Sequence, residues 1–129
     1  MFLSVKYHAD MSNRGHIERL LAILSDVGYE TFCVVRDLEA WGETAVDERE
    51  LMRLTFEHIR ASHLMLVDLS EKGVGIGIEA GYAVARGLQV AVIAPEGCDI
   101  STTLRGIAEA CFYYRGESDL RNFLAGLEH

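Results

Sequence analysis

The fold is decided by two runs of consecutive apolar residues, Leu64-Met-Leu-Val-Asp68 and Gln89-Val-Ala-Val-Ile-Ala94. A strand that is apolar at nearly every position is typical of the centre of a parallel sheet, where helices cover both faces. The segments around these runs instead carry apolar residues at helical spacing, as at Ile17, Leu20, Leu21 and Leu24. Alternation of such strands and helices predicts an α/β fold with a parallel sheet.

The same pattern predicts five strands and their connecting helices. We expect strands at 2–8, 29–35, 64–68, 89–94 and 111–114. A first helix begins after Ser12-Asn13 and ends at Gly28, and further helices follow at 47–62, 79–86, 101–110 and 118–124. An irregular loop is expected at 36–46 and a glycine-rich turn at 73–77. Right-handed crossovers then favour a flavodoxin-like, doubly wound five-stranded parallel sheet of order 2-1-3-4-5.

Length and charge limit the organisation and the partners. With 129 residues, of which 50% are hydrophobic, we expect one α/β domain over 1–126. Leu127-Glu-His129 resembles the start of a cloning scar, so we leave 127–129 out of the domain. A net charge of −8 disfavours nucleic acid polymers, which need clustered Lys and Arg. A single phosphate remains compatible, because a helix N-terminus and one Arg can bind it.

Cysteine and histidine usage indicates the compartment and the absence of a metal. Cys33, Cys98 and Cys111 are far apart, which predicts free thiols in a reducing cytosol rather than a disulfide framework. No run of 18 apolar residues suggests a membrane span, and we predict a cytoplasmic protein. We expect no metal, because the histidines lack a ligand spacing with a carboxylate or thiol; these are His8, His16, His58 and His63.

Polar groups are predicted to meet at one crevice. In open α/β sheets, ligands bind outside the carboxyl ends of the strands at the point where the strand order reverses, here between the first and third strands. The first predicted strand ends in Tyr7-His8-Ala9-Asp10, and the third ends in Asp68. The turn that follows carries Gly73, Gly75 and Gly77 before Glu79. If Glu79 lies in the first turn of its helix, the dipole favours the ionised form, which suits a nucleophile or a ribose ligand. A helix-capping role for Glu79 is the alternative.

A dinucleotide site is a further alternative. The segment Gly75-Ile-Gly-Ile-Glu-Ala80 matches G-x-G-x-x-A, and Glu96 follows at a distance suited to a ribose ligand. The match follows the third predicted strand rather than the first, which is not the usual context of that fingerprint.

Several segments resemble a known family. Gly73-Val-Gly-Ile-Gly-Ile-Glu79-Ala-Gly-Tyr-Ala83, followed by Gly87-Leu-Gln-Val-Ala-Val-Ile-Ala-Pro-Glu96, resembles the signature of the nucleoside 2-deoxyribosyltransferase superfamily. Within it, the chain looks most like the 2′-deoxynucleoside 5′-monophosphate N-hydrolases. Ser101-Thr-Thr-Leu-Arg105-Gly106 and Ser12-Asn-Arg14-Gly15 are similar to their phosphate-binding segments, and Tyr7 stands where the family has a tyrosine.

The resemblance implies roles for these residues. Glu79 would be the nucleophile that attacks the anomeric carbon, with no metal or cofactor. A homodimer is implied, in which the Ser101 segment reaches the phosphate bound by the neighbouring chain. Together with the residues of the predicted crevice, the candidates for substrate binding are His8, Asp10, Ser12, Asn13, Arg14, Gly15, Gly73, Gly75, Gly77 and Ser101.

One position departs from the family pattern. The family has an aspartate in the helix before the third strand, and an ungapped alignment through Glu79 places Thr55 there. His58, one turn away, or Asp68, at the end of the third strand, are the candidates for the second catalytic group beside Tyr7. The predicted function is hydrolysis of the N-glycosidic bond of a (deoxy)nucleoside 5′-monophosphate with release of the free base. A nucleoside 2-deoxyribosyltransferase and a non-catalytic nucleotide-binding module are the alternatives.

Overall fold

The computed structural model describes residues 1–127, so Glu128 and His129 lie outside the described residues. Its strands form one five-stranded parallel sheet in the order 2-1-3-4-5, which confirms the predicted fold and strand order. The strands are β1 (Phe2–Ser4), β2 (Phe32–Cys33), β3 (Leu64–Asp68), β4 (Gln89–Pro95) and β5 (Ala110–Tyr114). The helices are α1 (Arg14–Asp26), α2 (Val34–Asp37), α3 (Glu48–Ala61), α4 (Val74–Ala85), α5 (Thr102–Ile107) and α6 (Glu117–Gly126), with a 3₁₀ turn at Ala40–Gly42.

Helices cover both faces of the sheet, and the two apolar runs supply both cores. All five residues of β3 are buried. Leu64 and Leu66 pack with α1 and α6, whereas Met65 and Val67 pack with α3, α4 and α5. Side chains of a strand alternate between faces, so an apolar residue at every position serves both layers. Each fully buried side chain of this kind contributes roughly 1.5–3 kcal/mol.

Strands β1 and β2, which form the edge of the sheet away from β4 and β5, are shorter than predicted. β1 ends at Ser4 rather than at His8, and β2 is limited to Phe32–Cys33 rather than 29–35. The backbone N–H of Cys33 donates to Oδ2 of Asp37 at 2.9 Å, and the chain turns into α2 at Val34. The Asp37 side chain thus competes with strand pairing for this N–H group. β2 is an edge strand that pairs with β1 alone, so few strand hydrogen bonds oppose the turn into α2.

The predicted glycine-rich turn at 73–77 is wrong, because α4 begins at Val74 and includes Gly75 and Gly77. Glycine in a helix interior costs roughly 1 kcal/mol relative to alanine. Here Ile76, Ala80 and Ala83 lie at helical spacing and are buried against the sheet, and their burial outweighs that cost. The glycines therefore open space beside the helix instead of forming a turn. Their position also removes the strand–turn context that a dinucleotide fingerprint needs.

The other predicted boundaries agree with the structure to within two residues, except that the helix predicted at 101–110 ends at Ile107 and Ala110 belongs to β5. The side chain of Asp47 accepts from the backbone N–H of Glu50 at 3.2 Å and caps α3, as expected for Asp at this position. Gly28 follows α1 with φ of 100°, a conformation that glycine adopts without a steric penalty. In the described part of the chain, none of the helices combines the length and the apolar character that a membrane crossing requires.

Candidate functional site

A cleft of about 720 Å³ opens beside the carboxyl end of β1. It lies close to the reversal of strand order between β1 and β3, where doubly wound folds bind ligands. Four parts of the chain line it: the loop between β1 and α1, the segment from α2 through the 3₁₀ turn, α3 and α4. The lining residues are Val5, Tyr7, Ala9, Met11, Val34, Val35, Glu39, Trp41, Gly42, Glu43, Leu51, Met52, Thr55, Gly75 and Glu79.

Glu79 brings a largely buried carboxyl group to this cleft. The hydroxyl of Ser4 donates to Oε1 of Glu79 at 2.6 Å. Burial raises the pKa of Glu79 to about 7, and the hydrogen bond from Ser4 opposes that rise. Glu79 lies in the second turn of α4, not in the first, so the prediction that the helix N-terminus holds it ionised is wrong. At neutral pH the carboxyl group exists in both protonation states.

Ser4 is a site residue that sequence reasoning missed. It is the last residue of β1, and only 1% of its surface is exposed. The predicted strand extended to His8, so Tyr7 was expected near its end. The strand in fact ends at Ser4. Serine is seldom fully buried, so a serine within a predicted core strand was the signal that could have identified Ser4 as a site residue.

Aromatic side chains form one wall of the cleft. The ring of Tyr7 meets the ring of Trp41 edge-on, with centroids 5.6 Å apart. The Tyr7 hydroxyl donates to the carbonyl oxygen of Trp41 at 3.4 Å. The guanidinium of Arg14 lies 4.6 Å from the centroid of the Trp41 ring, a cation–π arrangement, and also pairs with Glu18 at 3.5 Å. Tyr7 thus lines the cleft with its hydroxyl bonded to Trp41 rather than to Glu79.

Two lining residues have strained backbone conformations. Met11 has φ of 64° and Trp41 has φ of 59°, in the left-handed region that non-glycine residues rarely adopt. Ala40, next to Trp41, has φ of 47°. Such strain costs of order 1–3 kcal/mol per residue and clusters at functional sites. Its occurrence at two rims of one cleft is an independent reason to regard the cleft as the site.

Asn13 organises the loop between β1 and α1. Its Oδ1 accepts from the backbone N–H of His8 at 2.9 Å, and its Nδ2 donates to the carbonyl oxygen of Lys6 at 2.6 Å. Nε2 of His8 contacts the carboxyl group of Glu71. Asp10 accepts from the backbone N–H of Ser12 at 2.9 Å. None of these four predicted ligands lines the cleft itself, which this loop reaches through Tyr7, Ala9 and Met11.

Of the predicted glycines and serines, only Gly75 reaches the cleft. Gly15 is exposed in the first turn of α1, and Gly77 is exposed on α4. Gly73 precedes α4, and a side chain there would meet Cδ of Lys6 at 3.5 Å. Ser101 precedes α5 and does not line the cleft.

Asp68 belongs to a separate buried cluster. It is completely buried and accepts from Nε2 of His16 at 2.6 Å and from the hydroxyl of Ser70 at 2.6 Å. The backbone N–H of Ser70 donates to it as well, at 2.9 Å. The hydrogen bond with Asp68 raises the pKa of His16. Nε2 of His16 contacts both Asp68 and Ser70, so the group is not a Ser-His-Asp triad, which uses both ring nitrogens.

His58, the other candidate for the second catalytic group, also lies outside the cleft. The ring of His58 stacks on Phe32 with centroids 3.7 Å apart, and His58 does not line the cleft. Thr55 does line the cleft, but it is buried and its hydroxyl donates to the carbonyl oxygen of Leu51 at 2.7 Å. Neither Asp68 nor His58 therefore lies opposite Glu79 in the described structure.

Three carboxyl groups, Glu39, Glu43 and Glu79, line the cleft. Glu39 is half-buried and Glu43 is exposed. Residues 1–127 contain no group of three or more His, Cys, Asp or Glu side chains arranged to hold a metal ion. The three cysteines are free, and burial raises the pKa of the Cys33 thiol to about 11.

Comparisons with known proteins agree on the fold. No family model matches the sequence. No curated protein matches it either. Among solved structures, the chain is similar to a CMP N-glycosidase of Clostridium botulinum, at 17% identity and a TM-score of 0.67, over 96% of this chain and 98% of that chain. It is also similar to a 2-deoxyribosyltransferase of Bacillus psychrosaccharolyticus, at 14% identity and a TM-score of 0.74, over 99% and 93%. The resemblance that the Glu79 segment carries is thus confirmed at the level of the fold.

Proposed function

We propose that this chain is an enzyme that hydrolyses the N-glycosidic bond of a (deoxy)nucleoside 5′-monophosphate and releases the free base. The observation that carries the proposal is the largely buried Glu79 carboxyl group in a cleft of about 720 Å³. The fold, shared with a CMP N-glycosidase and a 2-deoxyribosyltransferase, supports the same class of reaction. A deoxyribosyltransferase and a non-catalytic nucleotide-binding module are the alternatives.

Glu79 has the surroundings of a nucleophile. Ser4 binds Oε1, and Oε2 has no hydrogen-bond partner among residues 1–127, which leaves it free for attack on C1′ of the sugar. The aromatic wall of Tyr7 and Trp41 offers faces on which a base can stack. Displacement of the base by Glu79 would form a glycosyl-enzyme, which water then hydrolyses. Transfer to a second base instead of water would give the transferase reaction.

The simplest test is an assay for free base with paired substrates. We expect base release from a nucleoside 5′-monophosphate, and weaker binding of the corresponding nucleoside by about 10- to 150-fold. This follows from the loss of one charge-assisted contact, roughly 1.5–3 kcal/mol. The guanidinium of Arg14, which lies over the ring of the cleft residue Trp41, supports the phosphate subsite. The measurement is affinity and rate for both members of each pair.

Each alternative has its own result in this assay. Equal affinity and equal rates for nucleoside and monophosphate would contradict the phosphate subsite. Base exchange in the presence of a second free base would favour the transferase. A ligand that binds and is never cleaved would favour the non-catalytic module.

The pH dependence of cleavage should follow Glu79. Because burial raises its pKa to about 7, the ionised nucleophile is lost as the pH falls below that value. Ser4→Ala removes a hydrogen bond that favours the ionised form, so we expect the acidic limb of the kcat/KM profile to move upward by about one pH unit. Ser4→Thr, which keeps the hydroxyl, is the control. An unchanged limb in Ser4→Ala would contradict this role for Ser4.

A homodimer and a cytoplasmic location complete the proposal. The outward face of α4 is apolar and exposed, with Val74, Ile78 and Val84 exposed by 82%, 47% and 39%. Apolar surface of this kind supports a protein contact, and a symmetric dimer is the commonest one. We expect light scattering at micromolar concentration to give the mass of two chains, and Ile78→Asp to give the mass of one. A single-chain mass for the parent protein would rule out the dimer.

A further inference from the structure

The proposed reaction needs a second group, because a nucleobase leaves more easily when it gains a proton. In glycosidases a second carboxyl group commonly supplies that proton and later activates water. Asp68 is buried in the cluster with His16 and Ser70, and His58 stacks on Phe32. Thr55 carries only a hydroxyl, and that hydroxyl donates to Leu51. The residues predicted from the sequence therefore leave this role unfilled.

Glu39 is placed to fill it. It lines the same cleft as Glu79 but comes from the segment between α2 and the 3₁₀ turn. It is half-buried, and its carboxyl group has no hydrogen bond or ion pair with any residue from 1 to 127. A carboxyl group that lines the cleft and has no protein partner is available to a ligand bound there. Glu43 lines the cleft too, but it is exposed to solvent.

The backbone at Glu39 is held in place by three hydrogen bonds. Its N–H donates to the carbonyl oxygen of Val34 at 3.2 Å. Its own carbonyl oxygen accepts from the N–H groups of Gly42 at 2.9 Å and Thr44 at 3.0 Å. Ala40 follows directly, with φ of 47°, so a strained turn begins at this residue. A fixed main chain is what a catalytic side chain requires, because small displacements weaken proton transfer.

We propose that Glu39 is the general acid and base that acts with Glu79, an inference that rests on the proposed function. In the first step Oε2 of Glu79 forms a bond to C1′, the C1′–N bond breaks with its electron pair moving to the base, and the base takes the proton of Glu39. In the second step water attacks C1′ and gives a proton to the Glu39 carboxylate. The bond from C1′ to Glu79 breaks, which restores both carboxyl groups and releases the sugar phosphate.

The role can be tested through the leaving group. A purine methylated at N7 departs without protonation, so its release does not need an acid. We would measure base release from a purine nucleoside 5′-monophosphate and from its N7-methylated form, with the parent protein, Glu39→Gln and Glu43→Gln. We expect Glu39→Gln to slow the unmethylated substrate about 100-fold or more and the methylated one only a few-fold. Glu43→Gln removes the same charge from the same cleft, so it controls for charge alone and should show no such selectivity.

The failure of this inference differs from the failure of the proposed function. If the parent protein cleaves the unmethylated nucleotide and Glu39→Gln cleaves it equally fast, the role of Glu39 is overturned while the function stands. Equal slowing of both substrates would also overturn it, because that result indicates binding or structure. If the parent protein releases base from no purine or pyrimidine nucleoside 5′-monophosphate, the proposed function itself fails.

Discussion

Glu79→Gln should abolish glycosidic cleavage and leave ligand binding largely unchanged. The amide keeps the shape of the side chain and can still accept the hydrogen bond from Ser4. It cannot attack C1′, so the barrier should rise by on the order of 4 kcal/mol or more, which is about a thousandfold in rate. The measurements are single-turnover base release and ligand affinity. Glu57→Gln, on the exposed surface of α3, is the matched control.

Stability measurements separate this loss from unfolding. The folded-state pKa of Glu79 is about 7, above the usual 4.5, so ionisation destabilises the fold as the pH rises through that interval. The glutamine variant has no such ionisation, and above about pH 7 it should be at least as stable as the parent. A variant that folds, binds nucleotide and still turns over at the parent rate would refute the nucleophile assignment.

Asp68→Ala should lower the free energy of unfolding by about 3 kcal/mol, because each buried donor left without a partner costs about 1–3 kcal/mol. The variant removes the acceptor of Nε2 of His16 and of two donors of Ser70. We discount the His16 contribution, since 36% of that side chain is exposed and solvent screens it. Urea unfolding measures the loss, and Asp68→Asn, which keeps an acceptor oxygen, should lose less.

The effect of Asp68 should depend on pH through His16. The hydrogen bond with Asp68 raises the folded-state pKa of His16 above 6.5. The resulting stabilisation is complete below pH 6.5 and is lost as the pH rises through the raised value. The difference in stability between the parent and Asp68→Ala should therefore be larger at about pH 6 than at about pH 9. A difference that grows with pH would show that His16 is not the partner that matters.

The central part of the fold could be predicted because its sequence pattern has few interpretations. β3 has an apolar residue at each of its first four positions and was predicted with its observed bounds, since only a strand covered on both faces accepts that pattern. The strand order followed from the handedness of the crossovers. The start of α4 could not be predicted, because Gly73, Gly75 and Gly77 favour a turn locally and only packing of Ile76 on the sheet makes the segment helical.

The candidate site was predictable only where one residue carried the signal. Glu79 stood out by its place after a buried strand and a glycine-rich segment, whereas its contact with Ser4 depends on where β1 ends. Glu39 and Trp41 reach the cleft because the chain adopts left-handed conformations at Ala40 and Trp41. Neither Ala40 nor Trp41 is a glycine, so nothing in the local sequence indicates the left-handed conformation.

The side chain of Asn13 has a consequence for the entropy of binding. Asn13 directly precedes α1, and its side chain binds the backbone of Lys6 and His8 shortly after β1. One residue therefore holds the two ends of this irregular loop together. Ordering a residue costs about 1–2 kcal/mol of conformational entropy. The residues of this loop are already ordered in the folded protein, so ligand binding does not add that cost. A ligand that contacts Tyr7, Ala9 and Met11 then finds a preorganised wall, and its association should be faster and tighter than with a loop that must order on contact.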